Sequence, residues 1–268
     1  MRKIFLLIVL SVAAVSAASG CAGRSILGGP DKDAINRKVK EAETLYNSMD
    51  WTLRMKAVND VSQYETSRAE KLLITACHDP HGRVRIEAIR GLSRYDSLRA
   101  FEEIRSIAQE EKDGNIQWTA LKALGKFKKA EAAPVFVSAM KNNDWMIREA
   151  AIAGLLDIEN ATVEKLSVPA ALNALADQNE NVRIAALVHL RIADPKIYKV
   201  LSRQAADSKN YTKVTYLKAV LKAISLYRFD RETRKAVVEY ITHPNADIRV
   251  LALRAVKNSD TLELLSGE

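Results

Sequence analysis

The chain has 268 residues, 48% hydrophobic and 28% charged, with 41 Lys and Arg against 33 Asp and Glu for a formal net charge of +8. That length buries a sizeable core, as one elongated domain or two compact ones. Its two cysteines, Cys21 and Cys77, exclude a fold held by a disulfide framework, and the basic excess is interspersed with acids as on a solvated surface.

Arg2 and Lys3 lead into a mainly apolar run over residues 4–18, followed by Ser19, Gly20 and Cys21. A charged start, a short apolar core and small residues before a cut are the marks of a secretory signal. The run is shorter than the roughly 20 residues needed to span a bilayer and is interrupted by Ser11 and Ser16. Ala18-Ser19-Gly20-Cys21 resembles the bacterial lipobox, with Ala18 where Leu is commoner. The resemblance implies cleavage of residues 1–20 and a diacylglyceryl group on the Cys21 thiol, which makes Cys21 the expected lipidation site. Loss of Arg2 and Lys3 would lower the net charge from +8 to +6. Ala22 is not the Asp of the inner-membrane sorting rule, so the expected location is the bacterial cell envelope, at the periplasmic face of the outer membrane. Residues 21–33, with Gly23, Gly28, Gly29 and Pro30, read as the lipidated Cys and a tether, and 34–49 as a helix capping the open end of a repeat array.

Residues 50–268 repeat themselves every 30 to 36 residues. A column of small residues reads Ala57, Ala88, Ala120, Ala151, Ala186, Tyr216 and Ala252, with Tyr216 the exception. Four positions earlier stand Leu53, Val84, Ile116, Ile147, Val182, Thr212 and Ile248. One position later come Val58, Ile89, Leu121, Ile152, Leu187, Leu217 and Leu253, and four later Val61, Leu92, Leu124, Leu155, Leu190, Val220 and Val256. These offsets share one face of an α-helix and no face of a strand. The small residue marks a place where another helix crosses closely. Three positions before it lies a cation or amide: Arg54, Arg85, Gln117, Arg148, Arg183, Lys213 and Arg249. Acids precede several of them in the turn, namely Asp50, Asp79, Asp113, Asp144 and Asp177. The pattern predicts a ladder between repeats, each Asp capping a helix start and pairing with the next Arg.

Each interval holds room for a second amphipathic helix, expected over 67–77, 98–109, 132–140, 163–175, 197–206 and 231–241. Turn residues separate them, as in Asp79-Pro80-His81-Gly82, Asp113-Gly114-Asn115 and His243-Pro244-Asn245. Pro134 and Pro169 predict a helix start or a kink. Cys77 falls in an apolar helical stretch and reads as a buried thiol.

The segment from Asp79 to Leu92 fits the pattern D-P-x-x-x-V-R-x-x-A-x-x-x-L, and Ile147-Arg148 with Ala151 and Leu155 follows it in part, as does Val182-Arg183 with Ala186 and Leu190. At these columns the chain resembles HEAT-like repeats of the phycobilin-lyase type. The resemblance implies an all-α, right-handed α-solenoid of about seven helix pairs, with first helices on the convex side and second helices lining a concave groove. It speaks to fold more than to activity, because one architecture serves many functions.

The chain has no G-x-G-x-x-G, P-loop, H-E-x-x-H, C-x-x-C or G-x-S-x-G motif. No catalytic residue, metal ligand, small-molecule cofactor or nucleic-acid partner is expected. His78 and His81 lie in a turn that the repeat explains, and His189 reads as a partly exposed helix residue. Trp51 and Trp145 occupy the same repeat position, where a Trp packs across a repeat junction or serves as a ligand platform, and Trp118 stands near a helix margin. Arg68, Lys71, Arg99, Arg105, Lys165, Lys199, Arg203, Arg231 and Arg234 fall on or beside the second helices and form the candidate binding face, suited to an acidic partner. The expected function is a non-enzymatic, lipid-anchored scaffold that binds another envelope protein. The alternatives are a binder of an anionic envelope polymer and, last, a lyase-like enzyme.

Overall fold

The computed structural model describes residues 31–266, and every regular element in them is helical. The predicted leader, the lipidation site and most of the tether lie outside the described residues. The first helix is α1 (Lys32–Tyr46). The motif helices are α2 (Trp51–Val61), α4 (Gly82–Leu92), α6 (Gly114–Gly125), α8 (Trp145–Leu156), α10 (Glu180–His189), α12 (Val214–Ile224) and α14 (Ala246–Ser266). Between them run the second helices α3 (Ser67–Ala76), α5 (Leu98–Glu110), α7 (Ala133–Ala139), α9 (Ala161–Leu175), α11 (Pro195–Ala206) and α13 (Arg231–Glu239). The second helices lie where the sequence put them, to within two residues at most ends. The array is thus six pairs between α1 and α14, and the seventh motif copy is carried by α14 alone among the described residues.

Local chemistry fixes the helix starts. Asp50, Asp113, Asp144, Asn160, Asn179, Asp194 and Asp230 each accept a hydrogen bond from a backbone N–H of the helix they precede. Thr66 and Ser97 do the same for α3 and α5, and each such cap contributes about 1 kcal/mol. Pro134 stands in the first turn of α7, after a short 3-10 turn (Ala130–Ala132), so it marks a start. Pro169 lies inside α9, which continues through it.

Most of the motif columns form the core, but Leu53 and Leu253, expected on the buried face, are 39% and 52% exposed, and Thr212 is exposed too. Ala57, Ala88, Ala120, Ala151, Ala186 and Ala252 are fully buried, as are Val58, Ile89, Leu121, Ile152 and Leu217 beside them. Small residues bring the motif helices close. A Cβ added at Gly125 would lie 3.3 Å from the Gly154 Cα, where α6 crosses α8. One added at Gly154 would lie 2.5 Å from Cε1 and Cζ of the fully buried Phe136 on α7.

Helices α2, α4, α6, α8, α10, α12 and α14 form one layer, in which each packs along the next, while α1, α3, α5, α7, α9, α11 and α13 form another whose neighbours meet more sparsely. In a bent two-layer stack the closely spaced layer is the inner one. The motif helices therefore line the inner side and the second helices the outer. This reverses the expected placement of the second helices along the groove. The reason is residue size: the Ala column and Gly91, Gly125 and Gly154 all sit on motif helices, where they shorten the distance between axes.

Candidate functional site

The ladder of cations and acids is a structural clamp. Arg54 donates through Nε and Nη2 to both carboxylate oxygens of Asp79, at 2.7 and 2.9 Å, and through Nη1 to the Ser48 and Met49 carbonyls. Arg148 repeats the arrangement with Asp177, at 2.8 and 2.9 Å, and with the Asn142 and Asn143 carbonyls. Each arginine thus ties its own turn to the next one. The Arg pairs forward, opposite to the expected direction, because Asp79 and Asp177 lie two residues before the helix caps His81 and Asn179. Asp50, Asp113 and Asp144 are themselves caps.

Burial works against the Asp79 charge, but donors from Arg54, the His81 N–H and the Tyr46 hydroxyl hold its carboxyl below the usual range. The Arg148 guanidinium, with the Asn179 N–H, does the same for Asp177 against partial desolvation. At Arg183 the clamp changes form, because Asp207, nine residues before Tyr216, makes no ion pair with it and instead accepts from the Lys209 N–H. Arg183 still donates to the Asp177 carbonyl at 2.7 Å, but its guanidinium lies 5.5 Å from the ring centroid of Tyr216. The irregular sixth copy thus adds a cation–π contact, through Tyr216, to the 3.4 Å ion pair that Arg183 makes with Glu180 on its own helix. Tyrosine hydroxyls add further cross-repeat ties that the columns did not reveal: Tyr95 donates to the Tyr64 carbonyl and Tyr227 to that of Ile192.

The nine cations of the predicted binding face sit on the outer layer. Three of them meet carboxylates of the chain itself: Arg68 with Glu43, Arg105 with Glu102 and Arg234 with Asp260. Lys71, Arg99, Lys165, Lys199, Arg203 and Arg231 are exposed and make no ion pair among the described residues.

The inner layer presents a different surface. Two positions before the small column stand Met55, Ile86, Trp118, Glu149, Ile184, Val214 and Val250, all partly or fully exposed and mostly apolar. In the middle of the layer a shallow pocket of about 410 Å³ opens between α6, α8 and α10, lined by Trp118, Lys122, Trp145, Met146, Glu149 and Ile184, with Val188 and His189 at its edge. Trp145 is 38% exposed and Val188 48%. Lys122 Nζ lies 5.3 Å from the Trp118 ring centroid and 3.8 Å from Glu149 Oε1. His189 Nδ1 is 2.8 Å from Asp157 Oδ1, so the histidine is a held, half-buried residue.

The two tryptophans at one repeat position have different fates. Trp51 packs across the junction as expected, its ring stacked on His81 at 4.0 Å and 6° with the Arg83 guanidinium 5.6 Å from its centroid. At the corresponding positions opposite Trp145 stand Asn179 and Asn181, and Trp145 opens into the pocket. Cys77 is buried at the C-cap of α3, and burial pushes its thiol well above the ordinary range. No group of three or more His, Cys, Asp or Glu among the described residues is placed to hold a metal ion, and no described helix is long and apolar enough to cross a membrane.

Stacked helix pairs clamped turn to turn, with an exposed inner surface, define an α-helical repeat protein. The chain belongs to the HEAT-repeat family, whose model matches residues 41–116 and 101–191. No curated protein matches it. The solved structure of YibA from Escherichia coli is similar, with a TM-score of 0.54 and 14% identity over 86% of this chain and 98% of that one. The complex of CpcE and CpcF of phycocyanin lyase from Nostoc sp. PCC7120 is also similar, with a TM-score of 0.50 and 19% identity over 92% of this chain and 100% of that one. At these identities the likeness is one of fold.

Proposed function

We propose that this protein is a lipid-anchored scaffold of the bacterial envelope that holds a protein partner on its inner, motif-helix layer and carries out no catalysis. The observation that carries the reading is the mostly apolar, half-buried row from Met55 to Val250 on the inner layer, together with the pocket beside it that Trp118 and the exposed Trp145 line. Large exposed aromatics beside a pocket are the usual energetic centre of a protein interface. Repeat stacking extends such a surface copy by copy, which suits binding to an extended partner. The lipobox resemblance at Cys21 supports the anchor, and Ala22 supports the outer membrane.

Two measurements test the proposal. Cys21→Ser should move the protein from the membrane to the soluble fraction, and membrane retention would refute the anchor. Cross-linking in the native cell, followed by purification through a tag after Glu268, should recover a protein partner that is lost with Ile184→Glu. A second reading has its own observation: the six unpaired cations of the outer layer suit an anionic envelope polymer. Recovery of glycan instead of protein, abolished by Lys199→Glu with Arg231→Glu, would favour it.

A further inference from the structure

The contrast between Trp51 and Trp145 identifies what the inner pocket accepts. Both residues open a motif helix at the same repeat position. At Trp51 the chain fills the site itself, with a planar ring stacked at 4.0 Å and a guanidinium 5.6 Å from the indole centroid. At Trp145 the two residues that would supply those groups are Asn179 and Asn181, neither of which offers a ring or a cation. The indole is 38% exposed and lines the pocket instead.

The charges around the two sites differ in the same sense. Four residues after Trp51 stands Met55; four residues after Trp145 stands Glu149, one turn along and on the same helix face. The Glu149 carboxylate lies in the pocket wall with Lys122 at 3.8 Å, the outer limit of an ion pair. Asp144 caps α8 just before Trp145, and Asp157 lies at the far edge against His189. Among the described side chains that line the pocket, Glu149 is the one carboxylate and Lys122 the one lysine, in a chain of net charge +8. A planar cation fits both features: its flat face stacks on the indole as the His81 ring does on Trp51, with the cation–π attraction that Arg83 supplies there, and its fork reaches a carboxylate.

We propose that the Trp145 pocket receives an arginine side chain from the bound protein, the guanidinium lying on the indole of Trp145 and hydrogen-bonding to Glu149. This rests on the scaffold reading and names the anchor that the partner presents. It also sets the partner apart from the acidic one that the outer cations suggest. Lys122 is the opposing charge, and an incoming guanidinium displaces it from Glu149.

The test is 19F NMR of the purified protein carrying 5-fluorotryptophan. The chain has three tryptophans, so three resonances are expected, each assigned by a Trp→Phe variant. The probes are capped pentapeptides with Arg, Lys, Phe or Glu at the centre of four alanines. The Arg peptide should shift the Trp145 resonance saturably and leave Trp51 unmoved. The Lys peptide should bind about threefold or more weaker, as expected for a cation lacking the planar fork. Glu149→Gln, which keeps shape and packing, should weaken the Arg peptide about fivefold or more. Lys122→Met should strengthen it. A Phe or Glu peptide that binds as tightly as the Arg peptide would overturn the proposal, as would an Arg response unchanged by Glu149→Gln, or none at all. Such a failure leaves the scaffold reading to stand or fall on partner capture through Ile184→Glu, which uses no arginine probe.

Discussion

Gly154→Ala is the sharpest test of how the two helix layers pack on each other. On an open helix face this change is favourable, by about 0.5–1 kcal/mol, because alanine restricts the unfolded backbone. Here the added methyl would sit 2.5 Å from Cε1 and Cζ of Phe136 and 3.1 Å from its Cε2. Ordinary carbon contacts lie near 3.5–4.0 Å, so the overlap is about 1 Å. The Phe136 ring is fully buried on the short helix α7 and has no open space to enter. Overpacking costs about 1–3 kcal/mol, and an overlap this large against a ring with nowhere to move lies in the upper part of that range, which leaves a net loss of about 1–2 kcal/mol after the helix gain. For a chain of this size that lowers the melting temperature by about 2–8 °C in a calorimetric or circular-dichroism melt. Trimming the obstacle should relieve it: Gly154→Ala combined with Phe136→Leu should lose less than the sum of the single changes, by about 0.5 kcal/mol or more. A melting temperature that holds or rises in Gly154→Ala alone would refute the close α7–α8 packing.

Asp79 and Asp177 titrate below the ordinary carboxylate range in the folded state, so their contribution to stability is present above the unfolded pKa and is lost as pH falls through the folded one. Urea midpoints should therefore drop steeply below about pH 4, and Asp177→Asn should be less stable at neutral pH with a shallower acid slope. An unchanged slope would mean that Arg148 does not hold this carboxylate. Arg148→Ala strips two hydrogen bonds from Asp177 and one donor from each of two carbonyls, and should cost about 3 kcal/mol in the same titration. The buried Cys77 thiol should stay unreactive towards a thiol reagent at neutral pH until denaturant is added; fast labelling of the native protein would show that α3 opens.

The helices are legible because each copy repeats the same buried face, and a face that recurs every 30 to 36 residues cannot arise from a strand. Which layer lies inside is harder to see. Amphipathic spacing says which side of a helix is buried but not how far apart neighbouring axes run. The signal is nevertheless present, since Gly91, Gly125, Gly154 and the Ala column all belong to the motif helices. The acids look like one class because all precede a motif helix, yet seven residues before the small column gives a cap, as in Asp144, and nine gives a clamp acceptor, as in Asp177. Trp145 groups with Trp51 on position alone. Their difference lies one copy further on, in Asn179 and Asn181 against His81 and Arg83, because a junction side chain is completed by the following repeat.

Site-specific photo-cross-linking in the native cell tests the central claim most directly. A photoreactive residue replaces Val188 at the rim of the inner pocket, and in parallel strains it replaces Lys199 or Arg231 on the outer layer. If the inner layer is the docking face, Val188 yields one discrete protein adduct and the outer positions yield none. Adducts from Lys199 or Arg231 with none from Val188 would contradict it and place the working surface on the outer cation row.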